Sequence, residues 1–322
     1  MKNIKRIICT LTAAVTLVLA ATVLPSCGKK ARYTVGICQL VTHDALDAAT
    51  EGFKAALIDA LGAENVEFDL QNAANSADTC GTIVNTFVSK RVDLILANAT
   101  PALLAAINAT DEIPILGTSV TDYGKSLGIA DFDGVIGGNV SGTSDKVRAE
   151  RQAELLCELL PEVKTVGLLY CSAEPNSVYQ IEEMKTELER RGITTKDYKF
   201  SETTELASVV GKAAQDCDAL YAPTDNTVAS NATTVYDAMG ANKKPLIAGE
   251  KGICEGCGVA TLSIDYYKLG YETGKMAAEI LQGTASISEM AIRYDEEPKK
   301  LYNERICKEL GFSVPNGYEK LN

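Results

Sequence analysis

Histidine and tryptophan are the scarcest residues in this 322-residue chain, which contains one histidine, His43, and no tryptophan. A metal site with several histidines is therefore excluded, and a catalytic triad could form only around His43. Bases are also few, with 31 Lys and Arg against 43 Asp and Glu and a net charge of −12. Because phosphate contacts need Lys and Arg, this charge argues against a general nucleic-acid binder.

Several catalytic and nucleotide-binding motifs are missing too. The chain has no Walker loop, no GxSxG, and no GxGxxG between a strand and a helix. We therefore expect no enzyme activity, no cofactor and no metal. The composition, with 46% hydrophobic and 23% charged residues, is ordinary for a globular protein, and the length suits about two domains.

Long hydrophobic runs are confined to the N-terminus. Lys2, Lys5 and Arg6 precede an apolar run from Ile7 to Leu24, which ends in Leu-Pro-Ser-Cys27-Gly. This pattern is typical of a secretory signal, and its end resembles a bacterial lipobox, in which the cysteine is diacylated. We expect a signal peptide at 1–26, a lipidated Cys27 with a tether at 27–32, and anchoring to the outside of the cell membrane. An ordinary signal peptide and an uncleaved anchor are the alternatives.

The cysteines form no evident framework. Eight remain beyond Cys27, and those in apolar stretches are interpreted as small core residues. Cys254 and Cys257 have CxxC spacing, typical of a redox site or half of a zinc site. With no second CxxC and no nearby histidine, a loop disulfide or a free thiol pair is the simpler interpretation.

An alternation of apolar runs and amphipathic stretches fills residues 33–117. Tyr33–Cys38 predicts a buried strand, and His43–Leu61 predicts a helix that ends at Gly62. Further strands and helices follow in alternation, to a strand over Ile113–Gly117. Continuous apolar strands separated by helices indicate a parallel sheet that is covered on both faces.

The same alternation recurs in the second half. Thr34-Val-Gly-Ile corresponds to Thr165-Val-Gly-Leu, Val92–Ala97 to Cys217–Ala222, and Pro114-Ile-Leu-Gly to Pro245-Leu-Ile-Ala. The predicted fold is α/β, with two Rossmann-like lobes of parallel strands joined by three crossover segments. We expect a first lobe over 33–138 plus about 266–286, and a second over 139–265 plus about 287–322. The last helix is expected around Leu301–Leu310.

Small polar residues follow most of the predicted strands. Ligands of open parallel sheets bind outside the carboxyl ends of the strands, so these residues are candidates for a cleft between the lobes. Hydroxyls can hold a carboxylate and acids can hold an ammonium, a combination that suits a zwitterion. The same residue types are also common helix N-caps, so capping is an equal alternative for each loop. The segments are Gln39–His43, Asn98–Thr100, Thr118–Asp122, Glu174–Ser177, Pro223–Asn226 and Ser263–Asp265.

A set of short motifs resembles the ABC transporter substrate-binding family that includes tryptophan- and phenylalanine-binding lipoproteins. The resemblance runs from about residue 33 to the end and implies the type I periplasmic-binding-protein fold. It also implies partnership with a membrane permease and its ATPase. The motifs are Val35–Gln39, His43–Asp47, Glu51–Lys54, Gln71–Ala73, Asp93–Ala97, Ala99–Pro101, Val120–Asp122, Gly138–Gly142, Glu174–Val178, Pro223–Asn226 and Asp265–Tyr267.

The resemblance also suggests roles for residues of the cleft. It implies a carboxylate grip at Thr100, Ser119 and Thr121 of the first lobe, with Asn176 and Ser177 at the matching place in the second. Asp225 and Asp265 are the candidates for the ammonium, and Gln39 and His43 are the candidates for the side-chain pocket. Tyr123 departs from the family pattern and could stack on a ligand ring or cover the hinge. The expected ligand-binding residues are Gln39, His43, Thr100, Ser119, Thr121, Glu174, Asn176, Ser177, Asp225, Asn226 and Asp265.

Together these features predict an extracytoplasmic solute-binding lipoprotein of an ABC importer. Its expected ligand is a small zwitterion, with an aromatic amino acid favoured by the resemblance. Two alternatives stay open, namely the same fold with a nucleoside, sugar or peptide ligand, and a sensor subunit that serves a receptor.

Overall fold

The computed structural model describes residues 32–294 and 297–321. The expected signal peptide and Cys27 lie outside the described residues. The α-helices are α1 Asp44–Leu61, α2 Ala77–Lys90, α3 Thr100–Ala109, α4 Tyr123–Leu127, α5 Ala149–Leu159, α6 Pro175–Arg190, α7 Thr203–Asp216, α8 Asn226–Ser230, α9 Ala232–Ala238, α10 Lys251–Cys257, α11 Tyr266–Leu281 and α12 Glu304–Leu310. Short 3₁₀ turns occupy Ala63–Asn65, Gly240–Asn242 and Ile287–Glu289.

Thirteen strands in the described part of the chain form two sheets. The strands are β1 Tyr33–Gln39, β2 Val66–Asn72, β3 Leu94–Asn98, β4 Ile115–Val120, β5 Val140–Ser144, β6 Thr165–Cys171, β7 Thr194–Phe200, β8 Ala219–Ala222, β9 Leu246–Ala248, β10 Ala260–Ser263, β11 Arg293–Tyr294, β12 Lys299–Tyr302 and β13 Glu319–Lys320.

The two sheets repeat one topology, as the sequence predicts. The first sheet has the order β11-β5-β4-β3-β1-β2, and the second has the order β13-β12-β10-β9-β8-β6-β7. The run β4-β3-β1-β2 therefore matches β9-β8-β6-β7, and these strands are parallel in both lobes. The fold is α/β with two mostly parallel sheets, and the predicted fold class is confirmed.

The chain passes between the sheets three times, after β5, after β10 and after β11. Two strands differ from the division expected from the sequence, because β5 and β11 lie in segments expected in the second lobe and pair in the first sheet. Glycines explain the difference at β5: an added Cβ at Gly142 would lie 2.1 Å from the Gly117 carbonyl oxygen, so only glycine allows this close pairing with β4. The first crossover, residues 145–148, thus follows β5.

The last helix also begins later than expected. Residues 299–302 form β12, an antiparallel partner of β10, and α12 starts at Glu304 with the Asn303 side chain as its N-cap. Asn303 also donates to the carbonyl oxygens of Cys254 and Glu255. An N-cap residue has an extended backbone, so the residues before Asn303 are free to pair with the sheet.

Helices α1 and α11 pack in very close contact on the first sheet. An added Cβ at Gly52 would lie 2.0 Å from the Tyr267 carbonyl oxygen, and one at Gly270 would lie 1.9 Å from that of Ala49. The two glycines therefore let the backbones approach directly. Since α11 begins immediately after the second crossover, residues 264–265, this packing fixes that crossover to the first lobe.

Each lobe has its own apolar core. The second lobe has one continuous cluster that includes Leu168, Leu220 and Ile247, whereas the first lobe has separate clusters on the two faces of its sheet. Tyr123 belongs to the first-lobe core, where its hydroxyl donates to the Thr143 carbonyl oxygen at 3.0 Å, so it does not face the cleft. None of the helices in residues 32–294 and 297–321 is long and apolar enough to cross a membrane.

Candidate binding site between the lobes

A narrow cavity of about 10 Å³, with room for about one water molecule, lies between the carboxyl ends of the strands in the two lobes. Its lining residues are His43, Leu46, Ser119, Thr121, Asp145, Asn176, Thr224, Asp225, Asn226, Ala229, Glu250 and Tyr266. A larger groove of about 540 Å³ opens beside Tyr267, Tyr271 and Tyr294. Of the five best-formed pockets in the described residues, the inter-lobe cavity is the one lined by buried side-chain polar atoms that lack a partner. We therefore take it as the candidate site.

Strand β4 delivers Ser119 to the cavity through an irregular backbone. The register of β4 against β5 shifts between Gly117 and Val120, and Ser119 has φ = 53°, in the left-handed region. A non-glycine residue in this region costs free energy, and such residues cluster at functional sites. The Ser119 Oγ is buried and has no hydrogen-bond partner. The bulge thus presents an open hydroxyl to the cavity.

Six lining residues are absent from the expected set, namely Leu46, Asp145, Thr224, Ala229, Glu250 and Tyr266. Asp145 is the one among them with an open carboxylate oxygen. It lies on the first crossover, is only 4% exposed, and its Oδ2 accepts a hydrogen bond from the Tyr266 hydroxyl at 3.0 Å. Its Oδ1 is buried without a partner. Burial raises the pKa of Asp145, while the neighbouring hydroxyls of Thr121 and Tyr266 oppose that rise. The available signal was its position just beyond the expected boundary between the lobes at 138–139, where the chain crosses.

Three buried carboxylates of the second lobe are engaged by their own lobe. Asp225 is the N-cap of α8 and accepts from the backbone N–H groups of Val228 at 2.8 Å and Cys171 at 2.7 Å. Burial, together with the nearby Glu174, raises the pKa of Asp225. Glu250 caps α10 and accepts from two of its N–H groups, and burial raises its pKa as well.

Glu174 is the most heavily hydrogen-bonded of these carboxylates. Its Oε2 accepts from the backbone N–H and the Nδ2 of Asn226, at 3.0 and 2.7 Å. Its Oε1 accepts from the backbone N–H and the Oγ1 of Thr227, at 2.8 and 2.7 Å. Glu174 therefore organises the start of α8.

Polar contacts bridge the two lobes around the cavity. His43 Nε2 lies 3.2 Å from Asn226 Oδ1, and Thr121 Oγ1 lies 3.3 Å from Thr224 Oγ1. Asn75 Nδ2 donates to Thr227 Oγ1 at 2.9 Å. At the rim, Lys125 of α4 forms an ion pair with Glu183 of α6. The lobes are thus closed over the cavity.

The structure brings together six of the eleven residues expected in the site, namely His43, Ser119, Thr121, Asn176, Asp225 and Asn226. Asn176 keeps a buried Oδ1 without a partner, while its Nδ2 donates to the Thr224 carbonyl oxygen.

The other five expected residues do not line the cavity. Gln39 is engaged within the first lobe, since its amide donates to Asp47 and accepts from Thr50. Thr100 is buried at the start of α3, and Ser177 lies beneath the site with its hydroxyl bonded to Asp225. Glu174 supports the site from behind, as described above. Asp265 caps α11 with its side chain 48% exposed, so it is placed away from the other candidates for an ammonium.

The cysteines contribute no group to the cavity. All eight in the described residues are free thiols, and Cys254 and Cys257 are buried within α10. In the part of the chain that the structure describes, no cluster of three His, Cys, Asp or Glu side chains is placed to hold a metal ion.

The sequence profile of ABC transporter substrate binding proteins matches residues 34–320. The chain belongs to this family. Substrate-binding proteins of ABC transporters are extracytoplasmic and non-enzymatic. The chain is also 36% identical, over 87% of its own length and 81% of the relative's, to a tyrosine-binding protein of Clostridioides difficile.

Solved structures share the fold and differ in how closely their lobes match. An ABC domain from Streptococcus pneumoniae in complex with L-Trp superposes with a TM-score of 0.85 at 32% identity, covering 90% of this chain and 100% of that one. A ligand-free, open substrate-binding protein from Clostridium difficile gives a TM-score of only 0.68, although its identity is 38% and its coverage is the same. The two lobes of the present chain are therefore arranged more like those of the L-Trp complex than like those of the open structure, in agreement with the contacts across the cleft.

Proposed function

We propose that this chain is the solute-binding lipoprotein of an ABC importer and that it binds an aromatic α-amino acid in the inter-lobe cavity. The observation that carries this proposal is the unpartnered Oδ1 of the buried Asp145 beside the open hydroxyl of Ser119. A buried carboxylate without a full set of partners is costly, and an ammonium group would supply the missing donor and charge.

The two charged groups of an amino acid have separate partners in the cavity. Asp145 is the partner of the ammonium, because the carboxylates of Asp225 and Glu250 already accept from backbone N–H groups. The hydroxyls of Ser119, Thr121 and Thr224 are the partners of the carboxylate. Hydroxyl donors and one open acid in the same cavity match a zwitterion better than a neutral sugar.

The aromatic part of the proposal is supported by relatives and by the cavity wall. The relatives include a tyrosine-binding protein and a domain in complex with L-Trp. Leu46 and Ala229 provide apolar surface and Tyr266 provides a ring. In the closed form described above the cavity is far smaller than an aromatic amino acid, so the lobes or the lining side chains must move apart to hold the ligand. Opening and closing of the lobes about the three crossovers would admit and release it without covalent chemistry.

Delivery and anchoring complete the proposal. The loaded, closed form would dock on a membrane permease driven by an ATPase, while the diacylated Cys27 would hold the protein at the outer face of the membrane. Mass spectrometry of the protein purified from membranes tests the anchor, because a Cys27→Ser variant should lose the lipid and appear in the soluble fraction. Recovery of a permease or of a receptor after cross-linking distinguishes the importer from a sensor subunit.

Calorimetric titration with L-tyrosine, L-tryptophan and L-phenylalanine tests the ligand class. We expect saturable heat from at least one of them. Because the chain has no tryptophan, any indole emission in a mixture with L-tryptophan comes from the ligand, and a shift of that emission reports binding. A panel of nucleosides, sugars and short peptides, followed by thermal unfolding, is the control. A response to that panel and none to the three amino acids would refute the proposal.

A further inference from the structure

A chain of hydrogen bonds fixes how the Asn226 amide is oriented. Its nitrogen, Nδ2, lies 2.7 Å from Glu174 Oε2. A carboxylate oxygen accepts hydrogen bonds, and the amide nitrogen is the donor of the Asn side chain. The amide oxygen, Oδ1, therefore points away from Glu174, toward His43.

The orientation of Asn226 in turn fixes the proton on His43. Asn226 Oδ1 can only accept, and it lies 3.2 Å from His43 Nε2, so Nε2 carries the proton. In a neutral imidazole the other nitrogen, Nδ1, is then an acceptor. This Nδ1 is buried and has no hydrogen-bond partner. Beside a neutral His43, the group that completes the site is therefore a donor, whereas a protonated His43 would itself donate from Nδ1.

His43 lines the cavity beside apolar residues, a setting that suits a ligand side chain. Leu46 is one turn beyond His43 on α1, and Ala229 is one turn beyond Asn226 on α8, so apolar surface flanks the His43–Asn226 contact. The partners of the ligand's charged groups, Asp145 and Ser119, come instead from the first crossover and from β4.

From this arrangement we propose that His43 selects amino acids whose aromatic ring carries a hydrogen-bond donor. A phenol O–H or an indole N–H would fill the acceptor at Nδ1, whereas a plain phenyl ring would leave it buried and unpaired. The inference rests on the proposed function, since it requires an aromatic amino acid in the inter-lobe cavity. A site built to bond a ligand O–H or N–H discriminates strongly against the analogue that lacks it.

Calorimetric titration of the wild type and two variants with L-tyrosine, L-tryptophan and L-phenylalanine tests this selection. We expect the wild type to bind tyrosine or tryptophan at least about 10-fold more tightly than phenylalanine, because an unpaired buried acceptor is costly. His43→Phe removes the acceptor and should shrink that ratio to about threefold or less. His43→Gln supplies an amide oxygen as acceptor and should retain part of the preference. Thermal unfolding without ligand checks that both variants fold.

Thr224→Val is the matched control in the same cavity. Its hydroxyl is assigned to the ligand carboxylate, so this variant should weaken all three ligands by the same factor. If the wild type binds phenylalanine as tightly as the other two, or if His43→Phe weakens all three equally, the selection by His43 is overturned while the proposed function stands. If none of the three binds the wild type, the proposed function fails and the selection fails with it.

Discussion

The two lobes treat their buried polar groups differently. In the second lobe, Glu174, Asp225 and Glu250 all accept hydrogen bonds from backbone N–H groups at the starts of helices. In the first lobe and the first crossover, Ser119 Oγ and Asp145 Oδ1 are left open at the cavity. The second lobe opens one such atom to the cavity, Asn176 Oδ1. Buried acids at strand ends therefore either cap helices or face the ligand, and their hydrogen-bond partners distinguish the two roles.

Backbone strain shows the same asymmetry. Six non-glycine residues in the described part of the chain have positive φ, and all of them precede the second lobe. Among them only Ser119 lines the cavity. In the second lobe, carboxylates cap the starts of helices, where an anion is stabilised by the helix N-terminus. In the first lobe, Ser119 combines a positive φ with an unpaired hydroxyl at the cavity.

The largest effect on stability should come from Glu174, a buried carboxylate of the second lobe. Glu174→Ala leaves the donors of Asn226 and Thr227 buried without a partner, so we expect a loss of about 4 kcal/mol in the free energy of unfolding without ligand. Urea denaturation measures this loss. Glu182→Ala on the same helix, where the residue is exposed, should have little effect. Equal stability of the two variants would contradict a structural role for Glu174.

Asp145→Asn should weaken ligand binding without lowering the stability of the ligand-free protein. It removes the charge that pairs with the ammonium, and we expect ligand binding to weaken by about 3 kcal/mol. Burial raises the folded-state pKa of Asp145, so its ionised form costs stability at pH values above its ordinary pKa. The ligand-free variant should therefore be at least as stable as the wild type at neutral pH. Titration calorimetry and thermal unfolding measure the two quantities.

Asp265→Asn is the control for Asp145→Asn. Both acids lie on a crossover just after a strand, but Asp265 is half exposed and outside the cavity. Its replacement should leave the affinity unchanged. If Asp265→Asn weakened binding as much as Asp145→Asn, the assignment of the ammonium site would be wrong.

How much could be predicted from the sequence is shown by these same two acids. Apolar runs predict the parallel strands, and the rule that ligands bind at strand ends predicts which loops to inspect. Six of the expected residues line the cavity for that reason. The distinction between Asp145 and Asp265 depends on partners far along the chain, such as Tyr266, which is 121 positions from Asp145. Local pattern carries no information on such contacts.

Gln39 illustrates the same limit in the first lobe. It sits at the end of β1, as a ligand-binding residue would, but Asp47 and Thr50 of α1 engage its amide. The sequence places the residue at the correct edge of the sheet. Whether its side chain then turns to a ligand or to its own lobe depends on how α1 packs.

Ser119→Gly separates strain from binding in the first lobe. Glycine adopts a positive φ without steric cost, so the ligand-free variant should be more stable, by up to about 1 kcal/mol. Loss of the hydroxyl should weaken ligand binding by about 1 kcal/mol. Ser119→Ala, which loses the hydroxyl and keeps the unfavourable φ, should weaken binding by a similar amount and be less stable than Ser119→Gly. Because both variants remove the buried unpaired hydroxyl, equal stabilities of the two would show that the backbone at Ser119 is not strained.

The smallest effect concerns the ion pairs that join the lobes at the rim. Glu183 of the second lobe pairs with Lys125 and Lys146, and these side chains are between 26% and 40% exposed. Partly exposed pairs contribute little, so Lys125→Met should weaken ligand binding by about 0.5 kcal/mol or less.

The salt dependence of ligand affinity tests whether this small effect arises from closure of the lobes. In the wild type, affinity should fall slightly from low to high salt, and the fall should be smaller in Lys125→Met, because screening weakens the pair that the variant lacks. Lys54→Met is the control, since Lys54 pairs with Glu51 on the same helix of the first lobe. An equal response in the two variants would mean that the rim pair does not favour the closed form. The open polar atoms of the first lobe would then account for closure on the ligand without help from surface charge.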